Sequence, residues 1–481
     1  MAALETIKIM LILITIILMG GYTLYKYKNR RIKPDCFEVY KTQDTVPIGK
    51  VGVFVTALIM PPSHDNVFWY NVSKKIFNTI IPWPFRILAE QDNGIALCDP
   101  IKFYEFEEFT PTKLVDPNGN DCYLDGEPYI NKYKRGEVVW VPPAKMIHKD
   151  NGYFLYKKKK GGMPSLVGKF INKSRIWYYD KGLVQKKIPH WEETFKIIHG
   201  AIDRIKTKYG NIEWLAASSI YSHDMKTKLY NLLDAGCDTI ILAAPIPIYS
   251  HFEEFNSSFY HCFEYIHEWE NEHPGKKIKV IMAPQIGNFK SLRKSYLAML
   301  KDRLDMLPEK SSVTVAVTVH GMPWDAFKWE AWIELAPVYR DKLFEEMQEL
   351  LTQYKFSRKN MVICQDEFAD HIWDPQKKYL STNRAYWNAI NDGYDYVIGI
   401  PIEFLAENTD SMFHHALKNY DGFDDYVLYT KLDYPNWSIP FTVQFQQRGT
   451  TVIYNGVPVG KYQKYVIDAF YESIDSILKQ K

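Results

Sequence analysis

The chain has 481 residues, more than one ordinary domain needs, and its 46% hydrophobic and 15% aromatic content is ample for large cores. A formal net charge of +2 gives no electrostatic reason to expect nucleic acid as a partner. Six cysteines (Cys36, Cys98, Cys122, Cys237, Cys262 and Cys364) show neither a C-x-x-C nor a paired spacing. That argues against a zinc ribbon, an iron–sulfur motif or a disulfide scaffold, and for a reducing compartment.

Ile9 to Tyr25 is an uncharged, mostly apolar run, long enough with its flanks to cross a bilayer. Tyr22, Tyr25 and Tyr27 would lie at one interface, and Lys26, Lys28, Arg30, Arg31 and Lys33 follow. A cleaved signal peptide needs a basic start and an A-x-A-like exit, and the run has neither. The expectation is a transmembrane anchor over 7–27, in contact with membrane lipid, and a linker over 28–48. The positive residues after the run predict a single pass with a cytoplasmic body.

The body opens with VGVFVTALIMPP, a buried strand running into a proline-bounded loop. Residues 92–190 are dense in turn signals (Asp116-Pro117-Asn118-Gly119, Asp125-Gly126, Asn151-Gly152) with short aromatic runs between them, which predicts β-hairpins. Lys157 to Lys160 read as a solvated loop. From His190 helices and strands alternate. Helices are predicted over His190–Tyr209, Lys226–Ala235, Phe259–Glu272, Leu292–Leu304, Pro337–Tyr354 and Asn383–Asp392, with Pro337 in a first turn. Strands are predicted over Ile212–Ala217, Thr239–Ala243, Ile278–Met282, Ser312–Val319 and Met361–Cys364. At the end, Asn455-Gly456 predicts a hairpin turn after Thr451–Tyr454, and Tyr462–Lys479 a closing helix. No glycine-rich phosphate loop or nucleophile elbow appears.

Two stretches carry chemistry. Ser312–Val319 (SVTVAVTV) has the near-continuous β-branched character of a strand buried on both faces of a parallel sheet. It ends in His320-Gly321-Met322-Pro323, which puts a histidine on the edge where open α/β sheets bind ligands. The second stretch is YVIGIPIEFLAENTDSMFHH, from Tyr396. Val397, Ile398 and Ile400 form a β run that ends at Pro401, and the residues beyond read as helix. Glu403, Glu407, Asp410 and His414 are then spaced by four, three and four residues, on one helix face. Three carboxylates and an imidazole in file repel unless water, protons or a cation lie between them, the plain alternative being a solvated face. Met322 to Trp332 adds Trp324, Trp329 and Trp332, a cluster that suits a core or a pocket wall.

These residues resemble the ferrochelatase family. VTVHGMP looks like its histidine motif, and PIEFLAENTDSMFHH like its Pro-Ile-x-Phe-x-x-Asp-His-x-Glu-Thr-Leu-Tyr-Glu stretch. CQDEFADHIWDP is similar to its segment ending in Trp-Leu-x-Pro, with Trp373 and Pro375 one residue closer together. Ala57-Leu58-Ile59-Met60-Pro61 stands where the family has Asn-Leu-Gly-Gly-Pro, with bulky residues in place of glycines. Val67 to Leu88 fits the next helix and loop. Ser219-Ile220-Tyr221-Ser222-His223 keeps the tyrosine of an Arg-Tyr pair, and Pro245 to Ser250 is similar to Leu-Tyr-Pro-Gln-Tyr-Ser. In the acidic stretch Asp410 replaces a glutamate, Glu407-Asn408 an Asp-His pair and His414 a later glutamate.

The resemblance implies an α/β fold of two Rossmann-like domains with parallel sheets flanked by helices. It sets domain 1 over 49–250, with an insertion at 92–190, and domain 2 over 251–440, with 441–481 packing back on the core. It implies Fe²⁺ insertion into a porphyrin, the metal being a substrate and no cofactor being required. His320 and Asp410 would be catalytic, and both, with Glu403, Glu407 and His414, would handle the metal. Pro61, Tyr221, Tyr249, Trp324 and Trp373 would contact the porphyrin. A haem-accepting or assembly protein is the further partner expected. The departures leave a second expectation: a sister chelatase, or a haem- or porphyrin-binding protein without metal insertion.

Overall fold

In the computed structural model, which describes residues 15, 19–20, 35–60, 111–115, 121–125, 137–141, 153–157, 189–321, 331–366, 379–408, 410–411, 419–420, 422–423 and 443–481, the β-branched runs become the centres of two sheets. The chain divides into residues 1–43 and 44–481. In the first unit a short helix α1 (Cys36–Thr42) is capped by the Asp35 carboxylate, which accepts from the N–H groups of Phe37 and Glu38. The expected linker therefore contains a helix. Glu38 in its first turn and Lys41 in its last complement the helix dipole. The expected anchor lies outside the described residues except at positions 15, 19 and 20. Among the described residues no helix is long and apolar enough to cross a membrane.

The second unit starts with β1 (Val51–Ala57), buried along its whole length. Two antiparallel pairs follow within 92–190, β2 (Pro111–Val115) with β3 (Asp121–Asp125), and β4 (Glu137–Val141) with β5 (Tyr153–Lys157). The expected hairpins are present, with Asp116 to Gly119 falling between the first pair. Then come α2 (His190–Tyr209), β6 (Glu213–Ser218), α3 (Ser222–Asp234), β7 (Thr239–Ala243), α4 (Tyr260–Glu272) and β8 (Lys279–Met282). A wide π-helical turn, His251–Phe259, leads into α4. The first sheet has the order β6-β1-β7-β8 and every pairing in it is parallel. Its fourth strand lies beyond residue 250, so this sheet continues past the boundary the sequence suggested.

The second sheet follows α5 (Lys290–Leu304). It is built from β9 (Ser312–Val319), α6 (Ala331–Thr352), β10 (Arg358–Gln365), β11 (Leu380–Ser381), α7 (Thr382–Asn391), β12 (Tyr396–Pro401), β13 (Val443–Gln447) and β14 (Thr450–Tyr454). Its order is β11-β10-β9-β12-β14-β13, parallel except for the last pair. All eight residues of β9 are buried, as a central strand with both faces covered requires. Gly399 in β12 is fixed by packing, because a Cβ there would overlap the Tyr386 hydroxyl of α7.

Three local expectations change. Pro337 lies inside α6 rather than in its first turn, because the helix already begins at Ala331, whose N–H donates to His251 Nδ1 at 3.0 Å. The terminal hairpin turns at Arg448 (φ 49°) and Gly449 (φ 86°), the two positive-φ residues a tight turn needs, between β13 and β14. Asn455 instead leaves the sheet, its N–H bonding Gly399 O and its side chain accepting from Arg303 Nε at 2.8 Å.

The closing helix α8 (Gln463–Leu478) packs along both α2 and α5. Ile197, Ile198, Ile202 and Ile205 of α2 are buried, as are Val466, Phe470, Ile474 and Ile477 of α8. Each such side chain contributes about 1.5–3 kcal/mol through removal from water. Arg204–Asp468 and Lys208–Asp475 ion pairs flank the seam.

Candidate functional site

Each sheet has one place where neighbouring strands send their connections to opposite sides. In the first sheet it lies between β1, which leads on to β6, and β7, which leads on to β8. In the second it lies between β9, which leads to β10, and β12, which leads to β14 and β13. Open parallel sheets bind ligands outside the carboxyl ends of their strands at such points. The loops leaving all four strands line a single cleft of about 840 Å³, counted out to its open mouth.

From the first sheet come Ala57, Leu58 and Met60 after β1, and Pro245 to Ile248 after β7, with Glu253 of the π-helical turn. From the second come His320 after β9 and Glu403 to Ala406, Asn408 and Asp410 after β12. His190, Thr194 and Ile197 of α2 complete the lining. Of the two bulky residues that replace glycines in the first loop, Met60 forms part of the wall, beside Leu58, whereas Ile59 is fully buried and is not in the lining.

His320 is half-buried, and its Nδ1 lies 2.6 Å from the Gly321 carbonyl oxygen. A carbonyl only accepts, so Nδ1 carries the proton and Nε2 the lone pair. The ring meets Phe404 edge-on at 6.1 Å. The His320 backbone N–H donates to the Glu403 carboxylate, as does Trp332 Nε1 at 3.2 Å. The other oxygen of Glu403, Oε1, is buried without a hydrogen-bond partner among the described residues. Burial pushes the Glu403 carboxyl up to about 8, against the opposing effect of Trp332 and the Arg340 charge, and nearby Glu253 raises it further.

The expected helix after Pro401 does not form at once. Residues 402–408 are turns and bends. Buried hydroxyls take their carbonyls out of any helix, with Tyr339 donating to Ile402 O and Tyr296 to Phe404 O, both at 2.6 Å. Helical geometry begins only at the Asn408 cap, whose Oδ1 accepts from the N–H groups of Asp410 (2.8 Å) and Ser411 (2.9 Å). Ser411 Oγ accepts in return from the Asn408 N–H at 3.0 Å, a reciprocal capping box. Among its described members, Glu403, Glu407 and Asp410, the file is thereby broken. Glu403 and Asp410 face the cleft, whereas Glu407 is 2% exposed and lies behind it. Ser411 Oγ (2.6 Å) and Tyr454 Oη (3.1 Å) donate to Glu407 Oε2. Burial lifts its carboxyl to about 7, against those two hydrogen bonds.

Tyr249 is also displaced from the expected role. It is fully buried and packs edge-on against Phe255 (5.6 Å) and Phe259 (5.3 Å), in the core rather than the cleft. Tyr221 stands half-buried at the start of α3 and is not part of the described lining. Pro61, Trp324, Trp373 and His414 lie outside the described residues. Among the described residues no group of three His, Cys, Asp or Glu side chains forms a ready metal cage.

Two lining residues escaped the sequence reading. Glu253 sits on the π-helical turn, whose start is capped by Ser250 Oγ accepting from the Glu253 N–H at 2.9 Å. His190 opens α2, and its Nδ1 accepts from the Met60 N–H at 3.0 Å. Burial pushes the His190 ring down to about 4, although the Asp410 charge opposes this, so it stays neutral. The Pro189-His190 pair at a helix start was the available signal, but it points equally to an ordinary cap.

No family model matches the chain, and no curated protein matches it. Among solved structures, the chain is similar to SirB from Bacillus subtilis with Fe³⁺, at 11% identity and a TM-score of 0.37, covering 60% of this chain and 88% of that one. The sirohydrochlorin chelatase SirB of Bacillus subtilis subspecies spizizenii in complex with cobalt is similar at 9% identity and a TM-score of 0.33, covering 60% and 90%. A periplasmic solute-binding protein of Actinobacillus succinogenes with bound D-allose reaches 12% identity and a TM-score of 0.24, covering 60% and 88%. Similarity of this order carries no function, which has to be read from the cleft.

Proposed function

We propose that the chain inserts a divalent first-row metal, Fe²⁺ in the first instance, into a porphyrin. The observation that carries this reading is the convergence of His320, Glu403 and Asp410 in one cleft. They come from two distant sequence motifs, each of which resembles ferrochelatases, and a largely apolar wall faces them. Insertion forms metal–nitrogen bonds and breaks two pyrrole N–H bonds, so two protons must leave. The Nε2 lone pair of His320 is the acceptor for the first. Glu403 holds its proton near neutral pH and exchanges it readily, which suits it to pass protons on. Carboxylate oxygens are hard ligands that bind a ferrous ion less tightly than thiolates, so Asp410 suits a metal that must be held and then released, and Glu403 joins it once it has given up its proton. Leu58, Met60, Ile246 and Ile248 offer the apolar surface a macrocycle needs.

The test is metal insertion followed by absorbance, with Fe²⁺, Co²⁺ and Zn²⁺ offered to the full chain and several porphyrins. Turnover with at least one pair is expected. Tight porphyrin binding without insertion of any of the three would replace this reading by a binding protein on the same scaffold. We also propose that Ile9–Tyr25 anchors the body to a membrane on its cytoplasmic side. Carbonate washing should then leave the protein in the membrane fraction, and its release would remove the anchor.

A further inference from the structure

Trp332 is 3% exposed and does not line the cleft, so it is no pocket wall, yet it does more than fill the core. Its indole Nε1–H donates to Glu403 Oε2 at 3.2 Å, and Glu403 does line the cleft. An N–H held on one oxygen stops the carboxylate from turning about its terminal bond and makes its two oxygens inequivalent. The turn that carries Glu403 is gripped by the same helix. Tyr339 lies two turns after Trp332 on one face of α6, and its hydroxyl donates to Ile402 O at 2.6 Å. Tyr296 of α5 does the same for Phe404 O at 2.6 Å. The carboxylate and both neighbouring carbonyls are thus fixed by side chains of two helices.

The indole is itself held in place. The buried Arg340 guanidinium lies 5.3 Å from the centre of its ring. The helix begins at the preceding residue, Ala331, whose N–H is among the donors that a helix start leaves without an acceptor inside the helix. His251 Nδ1 accepts that N–H at 3.0 Å. His251 is buried and opens the π-helical turn that also brings Glu253 to the cleft. A hydrogen-bonded path therefore leads from the turn on the first wall, through the first two residues of α6, to the acid of the second wall. Groups that orient a reacting side chain from behind in this way typically change activity by about 10–100-fold when removed.

We propose that Trp332 is a positioning residue that orients the Glu403 carboxylate through its indole N–H, while His251 of the opposite wall fixes the indole by capping α6. The inference rests on the proton-handling role proposed above for Glu403. Three substitutions take the path apart. Trp332→Phe keeps a ring in the core and removes the N–H. His251→Leu removes the acceptor at the helix start, and His251→Asn returns one near the place of Nδ1.

The test is steady-state insertion of Zn²⁺ into mesoporphyrin by the full chain, with urea melts of each variant. The expected result for Trp332→Phe is a kcat about ten-fold lower, with the mesoporphyrin KM within about two-fold of wild type. His251→Leu should lower kcat by about three-fold or more, and His251→Asn should restore it to within about two-fold. A Trp332→Phe variant with a lowered urea midpoint and an unchanged kcat would make Trp332 a packing residue and overturn the inference. So would equal kcat losses in His251→Leu and His251→Asn, and this pair decides the matter alone if Trp332→Phe fails to fold. A second cycle does not depend on turnover. The urea-midpoint shifts of Trp332→Phe and Glu403→Leu should not add up in the double variant, because each single change removes the same bond. If wild type inserts no metal and the shifts are non-additive, the positioning contact stands and the proposed function falls. If wild type inserts metal and the shifts are additive, the function stands and the positioning role falls. No insertion together with additive shifts removes both.

Discussion

The two walls of the cleft use one architectural device with opposite chemistry. Both arise at the carboxyl ends of parallel strands, where connections diverge. The wall after β1 and β7 is mostly aliphatic, with Leu58, Met60, Ile246 and Ile248. The wall after β9 and β12 carries His320, Glu403, Asn408 and Asp410. A sheet edge therefore supplies position and not chemistry, and the loop sequence decides what each wall can do. Here one wall offers area for a flat apolar body, and the other offers a base and hard oxygen ligands at its rim.

That contrast can be broken most sharply at His320. On the proposed function, His320→Ala should lower metal insertion by at least about 100-fold, the usual size of a lost general base. Porphyrin affinity, measured by fluorescence quenching, should change by less than about three-fold. Equal losses in both would mean that the walls are not divided in this way. Next in size is Leu58→Asp, which puts a charge on the aliphatic wall. Burying even a neutral polar group costs about 1–3 kcal/mol and a charge costs more, so porphyrin affinity should fall by about 10-fold or more. The rate of insertion at saturating porphyrin should move much less.

The acidic wall is sharpened at Asp410, whose side chain is one methylene shorter than the glutamate of the resembling motif. Asp410→Asn should slow insertion without altering the melting temperature. Asp410→Glu asks whether the Asn408 cap has set the backbone for the shorter side chain. If it has, the longer carboxylate crowds the cleft and the rate drops by several-fold. A rise in rate would show that the shorter side chain is a handicap.

The smallest effect concerns Glu407, which lies behind the wall. Its carboxyl is raised from 4.5 to about 7 in the folded chain. The folded state thus binds the proton more tightly than the unfolded state. The associated stability is complete below about pH 4.5 and is lost as pH rises through about 7. The shift corresponds to about 3 kcal/mol at most. Glu407→Gln removes this titration, so wild type should lose stability against the variant between pH 5 and pH 8 in urea melts. A pH-independent difference would show that Glu407 does not titrate in that window.

Much of the fold was legible because buried parallel strands announce themselves. VGVFVTA, TIILA and SVTVAVTV have few other uses, and the helices between them have clear apolar periods. His320 could be located for the same reason, since it ends such a strand. The acidic stretch was misread because spacing by three and four implies a common face only if the backbone is helical. The hydroxyls of Tyr296 and Tyr339, over 60 residues away in sequence, hold the carbonyls of Phe404 and Ile402 in turns instead. The Asn408 capping box was visible as Asn408 with Ser411 three residues on, and it would have moved the helix start past Glu407. Asn455-Gly456 was a fair turn signal that lost to Arg448-Gly449, where a non-glycine residue takes positive φ. His190 and Glu253 were beyond reach of local pattern, since only the meeting of the two sheets brings them to the cleft.

The seam of α8 against α2 bears on how the chain is made. The buried face of α2 is complete only after residues 463–478 have been added, more than 250 positions later in synthesis. A nascent chain that has finished both sheets still lacks the partner for the face of α2 that carries Glu193, Gly200, Arg204 and Lys208, which meet Gln463, Ile467, Asp468 and Asp475 of α8. Pairings of such long range are slow to form, and they leave apolar surface open to wrong partners in the meantime. Emergence of α8 from the ribosome thus becomes the step at which the outer face of α2 closes. A stop codon shortly before residue 463 would yield a chain with every predicted strand in place and this face of α2 still uncovered.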